Sequence, residues 1–178
     1  DVPDAVAPSQ DLVDTARRIP GVRSASVSTH TPLGGSTWSE PAMPAGQPLP
    51  DLDTALFVGA GTGFFETLQI PLLRGRAIED RDRPGAPYVA VVNQEFVRRF
   101  FVDEDPIGRH VTMKRFCPKC DIEIVGVAAN TLYGELKANW TGSTPAAPPP
   151  TIFLSYSQAV WGPVAEVTYQ LRTAGDPL

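Results

Sequence analysis

Proline cuts this chain into short pieces. The sequence carries 19 prolines, and they are concentrated between periodic segments: Pro41, Pro44, Pro48 and Pro50 in one stretch, Pro145, Pro148, Pro149 and Pro150 in another. Proline has no N–H to donate and a fixed φ, so it stops helices and is kept out of sheet interiors. The two stretches therefore read as connectors of polyproline character, and the fold must be assembled from short elements between them.

Those elements are of both kinds. Ser9 reads as the cap of a helix running to about Ile19, with Leu12, Val13, Ala16 and Ile19 on its apolar stripe. Arg17 and Arg18 suit its C-terminal end, and Pro20-Gly21 stops it. Residues 22–29 alternate as a strand, and 30–50 read as a long loop. A strand at 54–58, a turn at 59–63 and a short helix at 64–69 follow. Residues 71–76 are extended, 79–87 form a charged loop and 88–92 a continuously apolar strand. Asn93 caps a helix with Phe96, Val97, Phe100 and Phe101 on one face. Residues 110–116 and 122–127 pair as strands, 130–140 are ambiguous, and 151–156 and 164–172 are two more strands. With no regular βαβ alternation and no internal repeat, the fold class is α+β. Phe64, Phe65, Leu68, Phe96, Phe100 and Phe101 are the expected core, each buried Phe contributing about 1.5–3 kcal/mol.

Length, charge and ends exclude some functions. At 178 residues and 42% hydrophobic, the chain can pack one ordinary domain or two small subdomains. No apolar run approaches the roughly 20 residues of a membrane helix, and no signal-peptide pattern is present. A net charge of −5 with scattered Lys and Arg argues against nucleic-acid binding and against a polybasic membrane patch. The chain begins at Asp1 rather than Met, and Asp176-Pro177 reads as a helix about to start, so a fragment of a longer protein is expected.

Each motif that could carry chemistry has a plainer reading. Gly59-Ala60-Gly61-Thr62-Gly63 sits between a strand and a helix, as in nucleotide-binding loops. But the third fingerprint glycine is replaced by Phe64, and no Gly-Lys-Ser/Thr follows, so a structural turn is the better reading. Small-molecule or nucleotide binding, or hydrolysis, at this turn is the alternative function. Cys117-Pro118-Lys119-Cys120 is compatible with a local disulfide, with half a four-ligand zinc site for which His110 and His30 are the only other soft ligands, with a redox pair, or with reduced thiols; the disulfide is favoured. A Ser/His hydrolase arrangement through His30 lacks its Gly-x-Ser-x-Gly. Glu79-Asp80-Arg81-Asp82 interleaves acids with arginines and reads as a solvated turn rather than a cation site. Asn139-Trp140-Thr141 matches a glycosylation acceptor.

One ordered set of blocks is more specific. Residues 64–76, Phe-Phe-Glu-Thr-Leu-Gln-Ile-Pro-Leu-Leu-Arg-Gly-Arg, resemble a signature of the MacB-like periplasmic core domain of ABC-transporter permeases of the MacB/FtsX type. Val89-Ala90-Val91-Val92-Asn93-Gln94-Glu95-Phe96 with Arg98-Arg99-Phe100-Phe101, Asp105-Pro106-Ile107-Gly108-Arg109, and Glu123-Ile124-Val125-Gly126-Val127 follow in order. Ile19-Pro20-Gly21-Val22 before them, and Leu171-Arg172-Thr173-Ala174-Gly175-Asp176-Pro177-Leu178 after them, fit the same family, whereas the Cys-Pro-Lys-Cys does not belong to its pattern.

The resemblance implies a porter-like α+β subdomain, incomplete here, with an inserted β-rich subdomain: residues 1–50 and 158–178 in the first, 51–157 in the second. It implies a non-catalytic domain on the periplasmic side of the bacterial inner membrane, with no cofactor and no metal. Its role would be to relay conformational change, or to contact partner or cargo, in efflux or lipoprotein trafficking. The implied partners are the protein's own transmembrane helices, a cytoplasmic ATPase, and a second permease copy, adaptor or cargo protein. Within the 30–50 loop, Trp38 and Met43 are the candidate partner contacts, with the proline-rich stretch at 145–150, since a rigid aromatic suits an interface anchor; the plainer reading is that Trp38 packs back on the domain and the loop serves as a lid.

Overall fold

The structure, a computed structural model, describes residues 6–31, 38–52, 54–131, 148–158, 160 and 166–175. The Asn139 acceptor, Pro145, the ambiguous stretch from 132 onward and Asp176-Pro177 lie outside the described residues. In chain order the elements are α1 (Val6–Arg17), β1 (Val22–Ser28), β2 (Trp38–Glu40), β3 (Ala42–Pro44), β4 (Ala55–Ala60), α2 (Phe64–Thr67) and β5 (Leu72–Gly75). Then come β6 (Tyr88–Asn93), α3 (Gln94–Phe100), β7 (His110–Met113), β8 (Ile122–Ala128), β9 (Thr151–Ser155), a 3-10 turn (Tyr156–Gln158) and β10 (Thr168–Thr173).

The ten strands form one sheet in the order β10-β1-β4-β9-β6-β8-β7-β3, with β2 also on β4 and β5 also on β8. β4–β9 and β6–β8 are parallel; the other pairs are antiparallel. This mixed sheet with few helices is the expected α+β class.

The central strands are buried on both faces, which is why they read as continuous apolar runs rather than alternating ones. Side chains of β4 alternate between two cores. Ala55 and Phe57 join Ala90, Val92, Ile124, Ile152 and Leu154 under α3. Leu56, Val58 and Ala60 join Val89, Val91 and Phe153 under α2. The aromatic residues expected to share one core are divided accordingly. Phe96 and Phe101, with Phe100 against them, fill the first face; Phe64 and Phe65, with Leu68, fill the second.

The ends of the chain meet each other. β1 pairs with β10 along its length, from Val22↔Thr173 to Ser28↔Thr168. β1 meets β4 in the ladder only at Ser28↔Ala60. A small third core of Val13, Ala25, Val27 and Tyr156 lies beneath α1.

Three local readings need correction. α1 starts at Val6, so Ser9 is inside the helix, where its hydroxyl accepts a 3.2 Å hydrogen bond from the buried Tyr156 hydroxyl. The stripe of α1 is narrower than its sequence suggests: Val13 is buried, whereas Leu12 and Ile19 are 56% and 51% exposed. The 30–50 loop contains β2 and β3, strands of three residues each. Their prolines escaped the usual rule because Pro41 lies between the strands and Pro44 at an end, on the sheet's outermost strand.

Glycine is required where β5 leaves β8. Gly75 has φ of 69°, and a Cβ on Gly126 would strike the Arg76 carbonyl. Arg76 then turns inward and pairs with the buried Asp82 through two hydrogen bonds, 2.7 and 2.9 Å. The loop expected to be fully solvated is thus anchored by Asp82, whose backbone carbonyl also accepts from Ser155 at 2.7 Å.

Candidate partner-contact surface

Trp38 begins β2, opposite Phe57 of β4. The indole packs edge-on to His30 at 4.4 Å between ring centroids, lies 5.3 Å from Phe57, and is stacked on Phe116 at 6.1 Å with 19° between planes. Phe57 and Phe116 are themselves 4.7 Å apart. Trp38 is therefore half-buried in an aromatic cluster rather than standing free on a loop. Met43, half-buried in β3, faces Thr112 of β7 across the ladder.

The link between β7 and β8 closes over this cluster. Glu40, 1% exposed, accepts backbone hydrogen bonds at Oε2 from Arg115 (2.8 Å) and Phe116 (3.2 Å). A buried carboxylate is tolerable because charge-assisted hydrogen bonds offset part of its desolvation. Cys117 and Cys120 follow as a bonded pair with Cα atoms 5.2 Å apart, and the Cys120 amide donates to the Cys117 carbonyl at 3.1 Å. Lys114 Nζ reaches Asp51 at 2.8 Å. Neither Glu40 nor Phe116 is legible as a site residue: Glu40 sits among prolines and serines with no periodicity, and Phe116 ends an ordinary strand pattern.

The proline-rich segment is tied into the sheet at its described end. Asn93 Nδ2 donates to the Pro149 carbonyl at 2.8 Å, and the Pro150 carbonyl accepts from Leu56 at 2.8 Å. Asn93 Oδ1 also accepts from Phe96, capping α3 as expected, and from Thr151, both at 2.9 Å.

The Gly59 to Gly63 turn is engaged in structure. The Gly59 amide donates to Thr29 Oγ1 at 2.9 Å, the Gly61 amide to the Val27 carbonyl at 2.8 Å, and the Phe64 amide to the Gly61 carbonyl at 3.1 Å. Arg17 lies against Gly63 and donates to the carbonyls of Thr62 (2.8 Å) and Ala25 (3.0 Å). Three amides of this turn, those of Gly59, Gly61 and Phe64, are thus engaged within the fold. The four residues of α2 give no sustained helix dipole.

His30 and His110 do not converge with the cysteines. His30 is buried beside Trp38, with Nδ1 2.9 Å from Thr29 Oγ1, and burial lowers its pKa from the usual imidazole value. His110 Nδ1 is 2.6 Å from the Asp121 carboxylate, but the two are not aligned as a hydrogen bond. Among the described residues no group of three or more His, Cys, Asp or Glu side chains is placed to hold a metal. Also among them, no helix is long and apolar enough to cross a membrane.

Solved structures share this fold. The periplasmic region of MacB from Actinobacillus actinomycetemcomitans superposes with a TM-score of 0.63 at 14% identity, over 94% of this chain and 65% of that one. The extracellular domain of the noncanonic ABC-type transporter YknZ from Gram-positive bacteria gives 0.59 at 13% identity, over 94% and 73%. A domain of a putative permease protein from Porphyromonas gingivalis gives 0.54 at 14% identity, over 99% and 71%. At such identities the likeness is one of fold. Among curated proteins, none matches this sequence. The family model of the MacB-like periplasmic core domain, however, matches residues 3–176, and the chain belongs to that family.

Proposed function

We propose that this chain works as a non-catalytic domain of an ABC-type permease, relaying conformational change across the periplasmic side of the membrane and contacting a partner or cargo protein. The observation that carries this reading is the family match over residues 3–176. The Gly59 to Gly63 turn supports it, because its Gly59 and Gly61 amides and that of Phe64 are bonded within the fold and fewer remain for a phosphate. The protein's own membrane helices, a cytoplasmic ATPase and a second permease copy, adaptor or cargo protein are the proposed partners, in efflux or lipoprotein trafficking.

The reading includes a division into two parts. The terminal segments, through α1, β1 and β10, make the porter-like part; β4 to β9 make the inserted part. The expected boundary at residue 50 leaves β2 and β3 with the porter-like part; because they pair with β4 and β7, we propose instead that they belong to the inserted part. The two parts meet at the ladder pair Ser28↔Ala60, at the hydrogen bonds that join Val27 and Thr29 to the Gly59 to Gly61 turn, at Arg17 on the Thr62 carbonyl and at Tyr156 on Ser9, so a relative motion would have to break or carry these contacts.

The experiment that tests this reading reconstitutes the full permease with its ATPase and replaces this whole domain by a flexible linker. Lost transport with continued ATP hydrolysis supports the relay. Unaltered transport overturns it, as would saturable micromolar nucleotide binding by the isolated chain.

A further inference from the structure

The serines of β1 are not all spent on the fold. Ser24, Ser26 and Ser28 share one face of the strand. Ser26 Oγ donates to the Gly61 carbonyl at 3.3 Å, and Ser28 Oγ to the His30 carbonyl at 2.6 Å. The Ser24 hydroxyl, on a residue 7% exposed, has no hydrogen-bond partner. A buried hydroxyl left unpaired is unfavourable, and a ligand that pairs it recovers that loss.

Ser24 lines a cavity of about 460 Å³, within the size range of small-molecule sites. The register of β1 against β10 shifts between Val22 and Ser24, leaving Arg23 as the extra residue of a bulge. Neighbouring residues of a regular strand face opposite sides, whereas across this bulge Arg23 and Ser24 line the same cavity. Glu66 of α2 lines it too, with Phe65 and Ala77 as apolar lining. Arg23 and Glu66 are exposed, and among the described residues neither side chain makes an ion pair or a hydrogen bond. The remaining charged side chain at the cavity, Arg17, is committed to Asp14 and to the carbonyls of Ala25 and Thr62. One cation and one anion therefore stand on the same cavity without neutralising each other. A bare anion bound there would meet Glu66, and a bare cation would meet Arg23. A ligand that carries both charges is complementary to both.

We propose that this cavity binds a small zwitterion of the amino-acid or short-peptide class. The ligand carboxylate pairs with the Arg23 guanidinium and accepts from the Ser24 hydroxyl, which one side-chain rotation turns inward. The ligand ammonium pairs with Glu66, and an apolar side chain rests on Phe65 and Ala77. Arg23 and Ser24 belong to the porter-like part and Phe65 and Glu66 to the inserted part, so a bound ligand bridges the two. The bridging, though not the binding, rests on the division proposed above.

The test titrates the intact 178-residue chain by calorimetry with alanyl-alanine, leucyl-leucine and leucyl-phenylalanine, with their N-acetylated and C-amidated forms, and with inorganic phosphate. Saturable binding of at least one free dipeptide is expected, weakened about tenfold by either blocking group. Arg23→Gln should weaken the free dipeptide about tenfold and no longer distinguish it from its amide. Glu66→Gln should do the same for the acetylated form. Both side chains are exposed, so an unchanged melting temperature separates lost binding from lost folding. Ser24→Ala should weaken binding without changing either preference and, since it removes an unpaired buried hydroxyl, without destabilising the fold. Absence of saturation by any dipeptide overturns the proposal. So does phosphate binding as tight as that of the dipeptides, or dipeptide binding that Arg23→Gln and Glu66→Gln both leave unchanged. Failed dipeptide binding alongside the transport result expected above would remove the ligand site and leave the permease reading standing.

Discussion

The Phe116 amide donates to Oε2 of Glu40 across a gap of 76 residues in sequence, and Arg115 donates to the same oxygen. One buried carboxylate therefore sets the path of the β7–β8 link. Replacing it removes the acceptor of two backbone donors. Hydrogen bonds to a charged group are worth about 1.5–3 kcal/mol each, so Glu40→Ala should lower unfolding stability by about 2–4 kcal/mol in urea denaturation. Glu40→Gln retains a carbonyl acceptor and should lose less than half of that. Equal stability of Glu40→Ala and wild type would mean that water replaces the carboxylate.

Asn93 makes three hydrogen bonds from one side chain, to Phe96, Thr151 and Pro149. It caps α3 and joins that helix to the start of β9. A lost cap alone costs about 1 kcal/mol, and two more buried bonds add to it. Asn93→Ala is expected to lose about 2–4 kcal/mol. Asn93→Asp keeps both acceptor bonds but cannot donate to Pro149, and should fall between. Thermal unfolding of the three proteins checks the order; an Asp variant as unstable as Ala would show that the Pro149 bond dominates.

The parts of the fold legible in the sequence are those governed by local chemistry. Asn93 before an apolar helical face announces its cap, and the runs read as strands at 54–58 and 88–92 announce β4 and β6. What was hidden depends on partners far along the chain. Trp38 sits in a Pro- and Ser-rich stretch with no strand period, and becomes a strand residue only because β4 offers it Phe57. Leu12 and Ile19 obey helical spacing, yet α1 meets the sheet through Val13 and Ala16, with Ser9 and Arg17 hydrogen-bonded beside them. Asp82 looks solvated among charged neighbours, and its burial follows from Arg76 turning inward after Gly75. Trp38 and Met43 stand out in the sequence by residue type; Phe116 and Glu40, which pack and bond around Trp38, carry no local signal.

The cysteine pair makes a chemical prediction. A loop this short gives a loop-entropy contribution of about 2 kcal/mol at most, so reduction should leave the domain folded while loosening the link at 114–121. Protein from an oxidising compartment is expected to resist alkylation until reductant is added, read by intact mass. Two thiols alkylated without reductant would rule the bond out, and stoichiometric zinc would replace it with a metal site. Cys117→Ser with Cys120→Ser should change unfolding stability by about 2 kcal/mol or less.

His30 gives the domain a pH dependence whose sign follows from burial. Its ring lies against Trp38 with Nδ1 at Thr29 Oγ1, and desolvation holds its pKa below the usual imidazole value of 6.5. The unfolded chain therefore takes up a proton near pH 6.5 while the folded chain does not. Stability rises with pH wherever the unfolded state binds more protons. The contribution of His30 is thus complete above about pH 6.5, declines as pH falls through the folded-state pKa, and is level below it. His30→Gln removes this titration. Urea unfolding of wild type and variant from neutral pH downward should show the stability of the wild type falling relative to that of the variant as pH falls. A difference that stays constant across that range would mean that the buried imidazole is protonated as readily as a free one, against the desolvation its position imposes.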